Sequence, residues 1–90
     1  MESAKSNITF VLFSFNEEKR IEYAVRNLIK YGEVLILDDG STDRTKEIAE
    51  SLGARLVRRP ANPLYYTETQ AMLDFAKSLI NTQWIYWSYF

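Results

Sequence analysis

The stretch Val34-Leu35-Ile36-Leu37-Asp38-Asp39-Gly40-Ser41-Thr42-Asp43 decides the fold. Its first four residues form an unbroken apolar run, as expected of a strand buried on both faces, and such strands belong to parallel sheets covered by helices. Two carboxylates follow directly. Gly40 permits a turn with positive φ, and Ser41 or Asp43 can cap a helix beyond it. The unit therefore reads as strand, turn and helix, with its turn at the carboxyl end of a buried strand.

The same alternation extends in both directions. Upstream, Ile8 to Phe13 is a second continuous β-branched and aromatic run. Ile21, Ala24, Val25, Leu28 and Ile29 then recur at helical spacing, and Gly32 is expected as the C′ stop. Downstream, Ile48, Ala49 and Leu52 share one face of a helix that stops at Gly53, and Ala54 to Arg58 reads as a short third strand. Pro60 and Pro63 punctuate a loop. Thr67-Glu68-Thr69-Gln70 has the form of a capping box. The helix it opens would present Ala71 or Met72, Phe75, Ala76, Leu79 and Ile80. A fourth strand is expected to begin at Trp84-Ile85-Tyr86-Trp87 and run to the last residue. No repeat, low-complexity tract or linker interrupts the series.

A βαβαβαβ order predicts an α/β half-Rossmann fold, with a mainly parallel sheet and helices on its faces. Right-handed crossovers favour the strand order 3-2-1-4. Ligands on such sheets sit outside the carboxyl ends of the strands, near the switch point. Attention therefore falls on the loops that follow Phe13, Leu37 and Tyr89.

Composition removes several classes of chemistry. Ninety residues suit one small domain or part of a larger one. The chain is 47% hydrophobic and 26% charged with a formal net charge of −1, an ordinary globular balance. Its eleven Lys and Arg are scattered without forming a basic stripe, so no nucleic-acid partner is expected. Cys and His are absent, which excludes thiol nucleophiles, Cys/His zinc sites and imidazole base catalysis within these residues. Any metal would need oxygen ligands, which suits Mg or Mn. Neither Ile8 to Phe13 nor Trp84 to Phe90 approaches the roughly 20 apolar residues of a membrane span. With no signal peptide visible, a cytoplasmic location is the default expectation.

Adjacent carboxylates at the end of a buried strand are costly unless solvated or hydrogen-bonded. A simple strand-to-helix turn accounts for Gly40, Ser41 and Asp43 without any ligand, but leaves the second acid unexplained. A carboxylate here would repel phosphates and accept from neutral N–H or O–H groups. Ribose hydroxyls, the imide N–H of uracil and the comparable N–H of guanine are such donors, whereas cytosine presents an acceptor. The chemistry thus leans toward UDP-, dTDP- or GDP-linked ligands over CMP-linked ones. In the first loop, Ser14-Phe15-Asn16-Glu17-Glu18, Phe15 could lie beside a base, Asn16 could cap the helix and Glu17 could reach a hydroxyl. A capped helix with acids in its first turn explains the same residues without a ligand. A dinucleotide site would need Gly-x-Gly-x-x-Gly there, and no glycine occurs before Gly32.

Two other motifs fail on their own terms. A haloacid-dehalogenase signature aligned on Gly40 puts Leu37 at the nucleophile position, where no nucleophile exists. An EF-hand loop counted from Asp38 would place Gly40 and Thr42 at its next two ligand positions.

Together the two loops resemble family 2 glycosyltransferases of the GT-A fold. That family opens with a hydrophobic strand and a Pro-x-Tyr-Asn-Glu-like loop, then carries Val-Asp-Asp-Gly-Ser-Thr-Asp-x-Thr after its second strand. Here the positions read Phe13-Ser14-Phe15-Asn16-Glu17 and Leu37-Asp38-Asp39-Gly40-Ser41-Thr42-Asp43-Arg44-Thr45. The second match is nearly complete; in the first, Phe13 replaces proline and Phe15 replaces tyrosine. The resemblance covers Ile8 to Arg59 by motif and the remainder by pattern. It implies a nucleotide-binding set of Ser14, Phe15, Glu17, Asp38, Asp39 and Ser41. Within that set Asp39 would accept the base N–H, and Ser14, Phe15 and Glu17 would line the base and ribose pocket. Asp38 and Ser41, with Asp43, would shape the turn. Only Gln70 and Lys77 stand where the family often carries Arg or Asn near the donor.

The resemblance also implies a divalent metal, Mg or Mn, on the donor diphosphate. In the family an Asp-x-Asp motif after the fourth strand holds it, and this sequence ends at Phe90 before such a motif. Residues 1–90 are accordingly expected to be the N-terminal nucleotide-sugar-binding portion, with no catalytic or metal residues of their own. A complete enzyme would displace the nucleotide at an anomeric carbon, with metal on the leaving diphosphate and a carboxylate base on the acceptor hydroxyl. The ninety residues alone are expected to bind nucleotide weakly and to transfer no sugar. The alternative is a non-catalytic α/β interaction module. Trp84, Tyr86, Trp87, Tyr89 and Phe90 would be sticky if exposed, and self-association through the C-terminal strand would follow. The plainer expectation is that these aromatics fill a buried strand of a longer protein.

Overall fold

The structure, a computed structural model, describes residues 7–60 and 69–88. Four strands and three helices alternate along it. They are β1 (Ile8–Ser14), α1 (Glu18–Leu28), β2 (Glu33–Asp38), α2 (Thr45–Ser51), β3 (Arg55–Arg58), α3 (Gln70–Lys77) and β4 (Trp84–Ser88). All three strand pairings are parallel and the order is β3-β2-β1-β4, the half-Rossmann arrangement expected from the alternation. β1 and β2 run in step from Thr9 opposite Glu33 to Ser14 opposite Asp38. Both therefore end at the same level, and their two loops leave side by side.

The unbroken apolar runs are explained by two cores, one on each face of the sheet. Leu12, Val34 and Ile36 point to one face and pack with Ile21 and Val25 of α1, Ala49 of α2 and Ala54. Val11, Leu35 and Leu37 point to the other and pack with Met72 and Ala76 of α3. Strand side chains alternate between faces, so burying both faces demands apolar residues at every position. Of the two candidates on α3, Met72 takes the core position, being fully buried.

The end of α1 departs from expectation. α1 stops at Leu28, a turn closes from the Tyr31 N–H to the Leu28 carbonyl, and Gly32 is not in the left-handed region. Gly32 is buried where the chain enters β2, so it does not act as a C′ cap. Gly53 does end α2 as expected, with φ +97°. At α3 the side chain of Thr69 accepts from the Met72 N–H. The Thr67 and Glu68 part of the capping box lies outside the described residues, as do Tyr89 and Phe90 of the expected strand extension.

β4 is covered on one face only. Ile85 and Trp87 pack toward α3, and Trp87 stacks on Phe13 with ring centroids 6.1 Å apart. On the opposite face Trp84 and Tyr86 are exposed, and Tyr86 meets Phe10 edge-on at 5.9 Å. Among the described residues no helix is long and apolar enough to cross a membrane.

Candidate functional site

The loops after β1 and β2 are tied together by side chains that reach across from one to the other. Asn16 adopts φ +51°, the left-handed conformation that Asn tolerates better than most residues. Its side-chain oxygen accepts from the Thr42 N–H at 2.8 Å and the Asp43 N–H at 3.3 Å. In return, the Asn16 N–H donates to the Ser41 hydroxyl at 2.8 Å. The Glu17 N–H donates to Thr45 Oγ1 at 2.9 Å, and the Glu18 N–H to Asp43 Oδ2 at 3.2 Å. The Arg44 N–H donates to Glu18 Oε1 at 3.1 Å.

Asp43 of the second loop thus takes the first N–H of α1, and Asn16 and Glu18 take the N–H groups of Thr42, Asp43 and Arg44 that lead into α2. Asn16 was expected to cap its own helix; instead it serves the backbone leading into α2, because its left-handed turn aims the side chain across the gap. Asp43 caps locally as well, accepting from the Thr45 N–H at 2.9 Å and from the Thr45 hydroxyl. These contacts satisfy N–H groups that helix starts otherwise offer to anions. Asp43 thereby takes the first N–H of each helix, those of Glu18 and Thr45.

Asp38 is the hub beneath this bridge. It is 4% exposed, and its carboxylate accepts four hydrogen bonds. Oδ1 takes the hydroxyls of Ser14, at 2.6 Å, and Ser41. Oδ2 takes the N–H groups of Gly40 and Ser41, at 2.9 and 2.7 Å. Burial alone would raise the Asp38 pKa, but the Ser14 and Ser41 hydroxyls and the Ser41 and Gly40 N–H groups outweigh it and hold the pKa below the usual carboxylate value. For Asp43, desolvation is likewise overcome by the Thr45 hydroxyl and N–H and the Glu18 N–H, and its pKa is also lowered. Gly40 sits at φ +90°, and a Cβ there would approach the Arg58 guanidinium to 3.0 Å.

The six residues expected to bind nucleotide thus divide by environment. The polar groups of Ser14, Asp38 and Ser41 are engaged with one another and build the turn. Phe15 and Asp39 face outward; the Phe15 ring is 54% exposed and the Asp39 carboxylate 52%. Glu17 is close by, but its Oε1 is held by the Arg20 guanidinium at 2.7 to 2.8 Å. Asp39 is fixed at its backbone by an N–H bond to the Ser14 carbonyl, at 2.9 Å, which sets it beside the start of the first loop.

Sequence reasoning assigned no role to Arg59, yet its guanidinium lies against Asp39, with Nε 3.3 Å from Oδ1 and Nη2 3.3 Å from Oδ2. The strand order carries the missing signal. With β3 beside β2 and Arg58 opposite Asp38, Arg59 falls next to Asp39.

Among the described residues no group of three or more acids could hold a metal ion. Asp38 and Asp43 already spend their oxygens on N–H and O–H donors, so this set does not fit a divalent cation. A polar depression of ≈ 350 Å³ lies at the start of α1, lined by Asn16, Glu17, Glu18, Lys19, Arg20 and Asp43. A larger one of ≈ 550 Å³ lies between α1 and the open face of β4, with Leu12, Tyr23, Ala24, Leu28 and Ser88 in its wall. That wall is mostly apolar and holds neither Asp38 nor Asp39, so the chemistry of the loops does not reside there.

Comparison with known proteins bears on the family and the fold. The model of glycosyl transferase family 2 matches residues 9–85. An uncharacterized protein of Methanocaldococcus jannaschii is 42% identical over 60 residues, covering 64% of this chain and 25% of its own length. An uncharacterized glycosyltransferase of Rickettsia bellii is 35% identical over 79 residues, covering 87% of this chain and 25% of its own. The chain thus spans about a quarter of the length of these relatives. Among solved structures, glucosyl-3-phosphoglycerate synthase of Mycobacterium tuberculosis, determined with Mn2+, UDP and glucosyl-3-phosphoglycerate, superposes with a TM-score of 0.68 at 24% identity. The superposition covers 98% of this chain and 34% of that one, and it shows a shared fold.

Proposed function

This chain belongs to glycosyltransferase family 2, and from that premise we propose that it forms the nucleotide-binding part of an enzyme that transfers a sugar from a nucleoside-diphosphate donor. The observation that carries the proposal is the outward-facing Asp39 carboxylate, anchored beside Phe15 on two loops that bridge each other. A fixed acceptor beside an exposed ring suits the edge and face of a base. The Asp43 carboxylate already holds the first N–H of α1 and of α2 and would repel a diphosphate there, so the diphosphate is placed elsewhere. Its metal, Mg or Mn, would be bound by residues outside this set.

The donor class follows from the acceptor. Uracil, thymine and guanine each present an N–H to Asp39, and cytosine presents a ring nitrogen lone pair that the carboxylate repels. UDP, dTDP and GDP should each stabilise the fold in a thermal-shift panel, and CDP should do so less. A nucleotide at 100 times its dissociation constant adds about 2.7 kcal/mol. The UDP shift should be the same with and without Mg, and no sugar should be transferred or hydrolysed by these ninety residues. Equal shifts from UDP and CDP would overturn the base assignment, and sugar transfer would overturn the view that catalytic groups lie elsewhere.

A second reading rests on the open face of β4. Tyr23, Trp84 and Tyr86 are 76, 61 and 57% exposed, on and beside an edge strand with an unpaired side among the described residues. Such an edge is a template for pairing with another chain. Light scattering over a wide concentration range should show growth in mass with concentration, reduced by Tyr86→Lys. A clean monomer throughout would remove this reading.

A further inference from the structure

We infer that Arg59 is a positioning residue for base recognition, clamping the Asp39 carboxylate so that its outer lone pairs face a ligand N–H. The inference rests on the reading of these loops as a nucleotide-base site, and goes beyond it by naming what aims the acceptor. Arg59 approaches side-on, Nε to Oδ1 and Nη2 to Oδ2, both at 3.3 Å. A planar guanidinium matches a carboxylate in this two-point manner, which fixes orientation as well as distance.

The asymmetry of burial indicates which partner is the support. The Arg59 side chain is 13% exposed and that of Asp39 is 52%. Both backbones are tied down too, since the Arg59 N–H donates to the Asp38 carbonyl at 2.9 Å and the Asp39 N–H to the Ser14 carbonyl at 2.9 Å. The clamp therefore stands on the β2–β3 ladder, and the carboxylate it holds is half exposed. A carboxylate offers about four lone-pair sites. Arg59 donates from Nε to Oδ1 and holds Nη2 beside Oδ2, which leaves acceptor sites on a carboxylate that is half exposed.

A partly exposed ion pair adds little to fold stability. Its consequence should instead appear in ligand selection. A clamped carboxylate presents only acceptors in a set direction, so a base whose ring nitrogen carries an N–H is preferred over cytosine, whose ring N3 is an acceptor. Without the clamp, Asp39 gains rotamers, and part of the binding free energy goes into ordering it.

The test is a double-mutant cycle on the ninety-residue chain, read by UDP and CDP titrations. Arg59→Gln should weaken UDP by roughly fivefold to tenfold and narrow the gap between UDP and CDP, and Arg59→Lys should recover part of the loss. In an Asp39→Asn background, Arg59→Gln should cost UDP binding clearly less than it does in the unmodified chain. Unchanged amide spectra away from the loops verify that each variant folds. UDP binding that falls in Asp39→Asn but is untouched in Arg59→Gln would overturn the Arg59 inference alone, as would an Arg59→Gln loss that persists fully in the Asp39→Asn background. Failure of the unmodified chain to take either nucleotide would overturn the base-site reading and this inference with it.

Discussion

Replacing Asp38 with alanine should destabilise the fold by about 3–5 kcal/mol, because it strips the acceptor from one buried and three part-buried N–H and O–H donors at once. The carboxylate receives Ser14, Gly40 and Ser41, the last through both its N–H and its hydroxyl. The Ser41 hydroxyl also accepts from the Asn16 N–H, so the loss spreads to the bridge between the loops. A domain of this size has only about 5–15 kcal/mol to lose. Urea unfolding with linear extrapolation measures the change. A loss below about 1 kcal/mol, the range of ordinary surface substitutions and weak hydrogen bonds, would refute the hub role.

The same residue predicts an acid response with a definite sign. The folded pKa of Asp38 is lowered, so its contribution is fully present above the unfolded value, near 3.9, and is lost as pH falls through the lower folded value. Asp38→Asn removes this dependence. The stability gap between the native chain and Asp38→Asn should therefore be widest near neutrality and close as pH drops below about 4. Asp43, lowered in the same direction, remains as a second acid-labile group in both proteins.

The second large effect concerns Asp39, where the expected loss is in binding and not in stability. Its side chain is half exposed and its one observed ion pair is partly solvated, so Asp39→Ala should change stability little. Nucleotide affinity should fall about tenfold to a hundredfold, the scale of a lost charged hydrogen bond. Asp39→Asn adds N–H donors at the same place, so CDP should gain on UDP in that variant. Calorimetric or NMR titration of UDP and CDP against the three proteins reads both effects. An unchanged UDP affinity in Asp39→Ala would remove the residue from the site.

These two aspartates show how far a sequence can be read. Strand order and the two-sided core were legible because apolar runs and 3.6-residue spacing are strong, local signals, visible in Val34 to Leu37 and Ile21 to Ile29. That the β1 and β2 loops leave side by side followed from the strand order 3-2-1-4. What escaped was the direction of side chains. Asn16 looked like a local cap, and only its positive φ sends its amide across to Thr42 and Asp43. Ser14 looked like a pocket wall, and its hydroxyl turns to Asp38 because the in-step register sets those residues opposite each other. Arg59 escaped because its partner is 20 residues away, across a ladder whose register the sequence does not display. Gly32 misled because a glycine after a helix is a common stop, whereas here the chain had already left the helix four residues earlier.

The central claim is that a nucleotide base is held by the loops after β1 and β2. An NMR titration of the 15N-labelled chain with UDP, in the absence of metal, tests it most directly. Saturable shifts are expected at the amides of Phe15, Asn16, Asp39 and Gly40, with the β4 face around Tyr86 unaffected. Shifts confined to the apolar depression at Tyr23, Ala24 and Leu28, or no shifts at millimolar UDP, would contradict it.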